Sequence, residues 1–143
     1  MTTQKRSGSM TREELKAAAV AMLDRAYVPY SHFPVGAALE CADGTVFTGC
    51  NIENAAYSPT ICAERCAVAK AVSEGHRDFV RIAIAGTGPD FCVPCGVCRQ
   101  VLSEFAPNLE VICLSGDGRE LATTLSALLP HGFGPGNLEH AQS

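Results

Sequence analysis

Four residues hold most of the chemistry in this sequence: Cys62 and Glu64 in Cys62-Ala63-Glu64, then Cys95 and Cys98 in Pro94-Cys95-Gly96-Val97-Cys98. Thiolates at the three cysteines give a divalent zinc three sulfur ligands and leave its fourth position for water. A carboxylate two residues past the first thiolate can move that water's protons without binding the metal itself. An open zinc beside a proton carrier is a hydrolytic arrangement rather than a structural staple. Three thiolates against Zn²⁺ leave a net negative charge, which blunts the metal's power to acidify water. Arg65 is placed to donate hydrogen bonds to the sulfurs and draw off part of that charge.

Two other uses of the same cysteines stay open at this level. Cys66 follows Cys62 by four, so Cys62, Cys66, Cys95 and Cys98 could close a Cys₄ zinc with no chemistry to do. Cys92-x-x-Cys95-x-x-Cys98 hints at iron–sulfur ligation, although Leu102 stands where the next cysteine of such a run belongs.

The elements that must position these residues can be read from pattern. Thr11-Arg12-Glu13-Glu14 has the form of a capping box, opening a helix through Leu15, Ala18, Ala19, Met22 and Leu23. Val28-Pro29-Tyr30-Ser31 breaks it. Strands at 35–41 and 46–53 flank Ala42-Asp43-Gly44-Thr45, whose Asp-Gly pair signals a hairpin turn. Pro59-Thr60 opens an alanine-rich second helix that Gly75 closes. Residues 79–85 form an apolar, β-branched run suited to a buried strand. Pro94 starts a third helix that carries Cys95 and Cys98 in its first turn, where a spacing of three turns both sulfurs to one point. Residues 109–114 give another buried strand, Gly116-Asp117-Gly118 a turn, and 123–129 a short helix before a Gly/Pro-rich tail. The order αββαβαβα predicts one α/β domain over 11–143, with helices covering a five-stranded sheet.

The chain has 143 residues, 47% hydrophobic and 18% charged, with net charge −4. That size and balance suit a compact domain with its own core. The eleven Lys and Arg are scattered, and there are three Tyr, six Phe and no Trp. A polynucleotide binder gathers basic and stacking residues, so a small uncharged substrate is expected and no nucleic-acid partner. No apolar run approaches a membrane span, and residues 1–10, basic without an apolar stretch behind them, read as a disordered tail rather than a secretory signal. The expected location is therefore a reducing cytoplasm, where eight cysteines are thiols or metal ligands rather than disulfides. Cys41, Cys50 and Cys113, inside apolar strand-like segments, read as buried small hydrophobes.

With these residues in hand, the sequence resembles the small homotetrameric zinc-dependent cytidine deaminases. The likeness runs through Tyr30-Ser31-His32-Phe33-Pro34-Val35-Gly36-Ala37-Ala38 and Gly49-Cys50-Asn51-Ile52-Glu53-Asn54-Ala55-Ala56-Tyr57. It continues in Cys62-Ala63-Glu64-Arg65, in Pro94-Cys95-Gly96-Val97-Cys98-Arg99-Gln100 and in 128–135, in order and over nearly the whole chain. The resemblance implies a three-layer α/β/α fold with a mixed five-stranded sheet. It implies one Zn²⁺ per subunit and hydrolysis of cytidine and 2′-deoxycytidine to uridine and 2′-deoxyuridine with release of ammonia, as in pyrimidine salvage. Glu64 would take a proton from the attacking water, give one to ring N3 and help protonate the departing amine.

Asn51 and Glu53 alternate by two, so on an extended strand both side chains face one side. By resemblance they bind the ribose 3′-hydroxyl, Phe33 packs on the pyrimidine ring and the Ala63 backbone meets the base. Ala55, Tyr57 and Phe133 resemble positions that complete a neighbouring subunit's pocket, so active sites are shared within a homotetramer. The sequence departs from the family at Val93, where a small polar residue is common, and at Cys66. The nearest rival keeps the chemistry with another substrate, a cytosine nucleoside antibiotic of the blasticidin S type; the Leu-Pro-x-x-Phe-Gly-Pro tail at 129–135 favours the ordinary nucleoside. A structural zinc module is the reading from another class, opposed by the acidic charge and the open coordination.

Overall fold

The computed structural model describes residues 3–4 and 10–142. Helix α1 (Arg12–Ala21) starts at the predicted capping box: Glu14 N donates to Thr11 Oγ1 at 3.1 Å and Thr11 N donates to Glu14 Oε1 at 3.0 Å. Strands β2 (Val35–Cys41) and β3 (Val46–Cys50) form the predicted hairpin, with Gly44 at φ 88 in its turn, a left-handed conformation that glycine adopts without cost. Next come α2 (Ala63–Ser73), β4 (Phe79–Gly86), α3 (Gly96–Phe105), β5 (Glu110–Leu114), β6 (Glu120–Thr124), α4 (Leu125–Leu128) and α5 (Pro135–Gln142). The sheet order is β1-β3-β2-β4-β5-β6, where β1 is Thr3–Gln4. Only β4 and β5 run parallel; the other pairs are antiparallel, so the sheet is mixed.

Alternation along the central strands builds the layers. Ala37, Leu39, Ile82, Ile84, Val111 and Cys113 face α2, α3 and α4, packing on Ala67, Ala71, Leu102 and Leu125. Their neighbours Ala38, Ala83, Ala85, Ile112 and Leu114 face the other way, onto Leu15 and Ala19 of α1. Because the strand period is two, strands apolar at every position are buried on both faces, which makes the three-layer α/β/α arrangement. Cys41, Cys50 and Cys113 are buried free thiols.

Four expectations are corrected. First, the predicted tail at 1–10 is not wholly without structure: Thr3–Gln4 pair with β3 and Met10 is buried beside Leu15, while the rest of that stretch lies outside the described residues. Second, the fifth full strand, β6, occupies 120–124, and the helix expected at 123–129 shrinks to α4. The side chains of β6 are mostly exposed, so its pairing with β5 is a backbone matter that leaves no apolar alternation to read. Third, the Gly/Pro-rich tail carries α5, opened by Pro135, whose fixed φ and missing N–H suit the first helical position. Fourth, helices α2 and α3 begin later than expected. Ile61 exchanges two 3.0 Å backbone hydrogen bonds with Ile52, which keeps the chain extended almost to Cys62.

At the other end of α2, Gly75 takes φ 88, and the Gly75 and His76 amides donate to Val72 O and Ala71 O, a glycine-closed terminus as predicted. Gly49 in β3 lets α2 lie close on the sheet, since a Cβ there would stand 2.3 Å from Ala63 O and 2.7 Å from Ala67 N.

Candidate metal centre and active site

The late helix starts make Cys62 and Cys95 cap residues, both with extended backbone, at φ −77, ψ 157 and φ −68, ψ 169. A cap side chain folds back over the first turn and meets the third helical residue. Cys62 thereby meets Arg65, and Cys95 meets Cys98. The sulfurs of Cys62, Cys95 and Cys98 all lie within 4.8 Å of one another. Cys66, one full turn into α2, is not part of this cluster; its Cβ lies 3.0 Å from where a Gly49 side chain would stand, against β3. The closed Cys₄ alternative fails because Cys62 is outside the helix and does not share its periodicity with Cys66. Cys92 is also absent from the cluster, which removes the iron–sulfur alternative.

The donor set fits zinc. Two sulfurs each about 2.3 Å from a tetrahedral ion stand roughly 3.8 Å apart, and Cys62 Sγ to Cys95 Sγ is 3.7 Å. All three cysteines are free, and that separation is far beyond a disulfide bond. Two helix N-termini converge here, and their partial positive charges favour thiolates. Arg65 Nη2 donates to Cys62 Sγ at 3.3 Å, and its buried Nε has no protein partner among the described residues.

Hydrogen bonding from Cys98, reinforced by Arg65, lowers the Cys62 thiol to about 5, whereas Cys98, on the donor side of that bond and buried, is pushed up although Arg65 pulls the other way. Glu64, second residue of α2, is 4% exposed. Burial raises its carboxyl to about 7, and the nearby Cys62 charge adds to the effect. Such a group gains and loses protons near neutrality, as a proton carrier must.

The remaining predicted residues divide between the contacts that tie down the 30–35 loop, the buried start of α2, and positions exposed on the single chain. Asn51 Nδ2 donates to Phe33 O at 2.9 Å, and Val35 N donates to Asn51 Oδ1 at 2.9 Å. Glu53 Oε1 accepts from Tyr30 N at 3.1 Å and Ser31 N at 3.0 Å, and Oε2 accepts from the Ser31 hydroxyl. These bonds hold the Glu53 carboxyl below its usual range, the Ser31 hydroxyl most of all. Asn51 and Glu53 lie just past the end of β3, and both grip the 30–35 loop. Ser31 is therefore a partner of Glu53 that sequence reasoning passed over; its place in Tyr30-Ser31-His32-Phe33 was the available signal. Phe33 is half-exposed and its ring lies over Gly86 and Gly88, where Cβ atoms would come within 3.4 and 3.3 Å of it. Ala63, first residue of α2, is buried. Ala55 is exposed, as are Tyr57 at 73% and Phe133 at 58%. His32, Tyr57 and His131 adopt positive φ of 56, 61 and 56. Non-glycine residues rarely do so, and each of these lies within two residues of a predicted substrate contact.

A three-layer fold that brings three thiols and a buried carboxylate to two helix starts defines a metal-dependent hydrolase. Residues 9–114 match the family model described as the cytidine and deoxycytidylate deaminase zinc-binding region. A cytidine deaminase of Sporosarcina psychrophila is 47% identical over 92% of this chain and 98% of its own. One from Halalkalibacterium halodurans is 48% identical over 87% of this chain and 95% of its own. The crystal structure of cytidine deaminase from Burkholderia pseudomallei superposes with a TM-score of 0.84 at 46% identity, covering 87% of this chain and all of that one. The chain belongs to the cytidine deaminase family. Among the described residues no helix is long and apolar enough to cross a membrane.

Proposed function

We propose that this chain hydrolyses cytidine and 2′-deoxycytidine to the uridine nucleosides and ammonia, as a cytoplasmic enzyme of pyrimidine salvage. The observation that carries this reading is Glu64, buried at the start of α2 between Cys62 and Arg65, beside three converging thiols. Cys62, Cys95 and Cys98 would hold zinc, and the ion would supply the Lewis acidity that makes water a competent nucleophile at neutral pH. Glu64 takes one proton from the attacking water and gives it to N3 of the ring, then takes the second proton from the oxygen now on C4 and delivers it to the amine as the C4–N bond breaks. Burial lifts this carboxyl above the ordinary carboxylate range, which suits it to accept as well as to give a proton.

Arg65 offsets charge on the Cys62 sulfur. Arg65→Ala is expected to retain zinc while kcat falls roughly tenfold or more, measured by metal analysis beside steady-state kinetics. Unchanged turnover would remove Arg65 from the machinery.

Asn51 and Glu53 receive the ribose 3′-hydroxyl; carboxylate oxygens carry more lone pairs than the loop amides and Ser31 use. Because the 2′ position is ignored, ribose and deoxyribose are both accepted. Phe33 packs on the pyrimidine and the Ala63 backbone meets its polar edge. Ala55, Tyr57 and Phe133, exposed on the single chain, complete a neighbouring pocket in a homotetramer. Phe133→Ala is expected to raise the KM for cytidine about tenfold, the worth of a lost aromatic contact; an unaltered KM refutes a substrate-facing ring. The decisive assay follows the ultraviolet change on cytidine, deoxycytidine, blasticidin S and single-stranded DNA, with and without chelator. Turnover of the two nucleosides alone, abolished by chelation, is the expected pattern.

A further inference from the structure

Arg99 and Gln100 follow Cys98 on α3, and both reach the C-terminal segment. Arg99 Nε donates to Pro94 O at 2.8 Å, and its Nη1 donates to Leu128 O at 2.8 Å. One guanidinium thus joins the residue just before Cys95 to the last residue of α4; its donors diverge at fixed angles, which suits it to bridging two carbonyls. One residue further on, Gln100 Nε2 donates to Phe133 O at 2.9 Å. Between these anchors residues 129–134 form neither helix nor strand, and His131 adopts φ 56. No backbone ladder sets the course of such a segment, so contacts with the rest of the fold must. The Phe133 ring, more than half exposed, cannot hold itself in place by burial.

We propose that Arg99 and Gln100 are positioning residues, a two-point clip that fixes the 129–134 segment to the helix bearing Cys98. The clip places the Phe133 ring at a set height relative to the thiol cluster of its own subunit. The helix that supplies metal ligands to one site then also aims the aromatic ring offered to the next. This deepens, and rests on, the reading of Phe133 as a substrate contact.

The test uses the zinc-loaded full chain with Gln100→Glu, which keeps the shape but loses the N–H donor, and Gln100→Lys, which keeps a donor. Amide hydrogen exchange over 129–134 is expected to quicken roughly fivefold in Gln100→Glu, the worth of one lost hydrogen bond. The KM for cytidine should rise by a similar factor, with kcat and zinc content unchanged, and Gln100→Lys should return both readouts towards wild type. Unchanged exchange over 129–134 in Gln100→Glu overturns the clip, as does zinc loss in that variant. Quickened exchange with an unaltered KM overturns its link to substrate. Phe133→Ala run in parallel separates the two ideas: if that change leaves KM alone, the reading of Phe133 fails while the exchange data still judge the clip.

Discussion

Glu64→Gln is expected to leave fold and zinc content intact while kcat for cytidine falls at least about a thousandfold. General acid–base transfer by one side chain contributes on the order of 10² to 10⁴, and the proposed role gives Glu64 more than one transfer in each turnover. The neutral amide is nearly isosteric and sits where burial already disfavours charge, so the protein has no structural reason to object. Substantial residual turnover would sink the proton-carrier role. The same substitution has a thermodynamic signature in the metal-free protein. Folding raises the Glu64 carboxyl from 4.5 to about 7, so between those values the native state holds a proton that the unfolded chain has released. Stability from this group is full below pH about 4.5 and declines as pH rises through about 7, by on the order of 3 kcal/mol. Comparing metal-free wild type with metal-free Glu64→Gln isolates that decline from the cysteine titrations; parallel pH curves would refute it.

Removal of the metal is expected to abolish deamination and lower the Tm by roughly 10 °C, with both restored by added zinc. Binding a thousandfold above Kd stabilises by about 4 kcal/mol, and a chain of this size shifts a few degrees per kcal/mol. The structural reason lies in the thiols. Cys62 and Cys95 sulfurs stand 3.7 Å apart with Cys98 beside them, so without a cation between them the set must keep protons or repel. Two helix N-termini are then held near one another by packing alone. If a chelated sample that is shown to be metal-free retains its Tm and its activity, the thiol cluster is not a zinc site.

What the sequence made legible was chemistry and local geometry. Three cysteines, a glutamate and an arginine could be paired with roles because their types admit few uses at that spacing. Thr11 and Gly44 announced a helix cap and a turn through their own side-chain or backbone chemistry. The misplaced boundaries have a common cause in long-range contacts. The start of α2 is deferred by the pairing of Ile61 with Ile52, a tertiary event that no local propensity reports. The Cys₄ alternative survived sequence inspection only because Cys62 was counted as helical. Strand β6 escaped because its face is exposed, and the role of Ser31 because its partner Glu53 lies 22 residues away. The glycines at 36 and 49 were quoted as motif letters, while their function is to let helices touch the sheet: a Cβ on Gly36 would stand 2.1 Å from Ala19 O.

Placing Cys62 at the boundary between extended chain and helix makes tolerance to insertions one-sided. An extra residue among the exposed positions 54–59 lengthens a surface loop and leaves the angular relation of Cys62, Glu64 and Arg65 untouched. The same residue added between Ala63 and Glu64 turns everything downstream by about 100°. It would swing the carboxylate away from the sulfurs and leave the inserted residue in its place. Length can therefore vary in the loop before this cysteine with no effect on the angles among the three side chains, and not at all in the three positions after it.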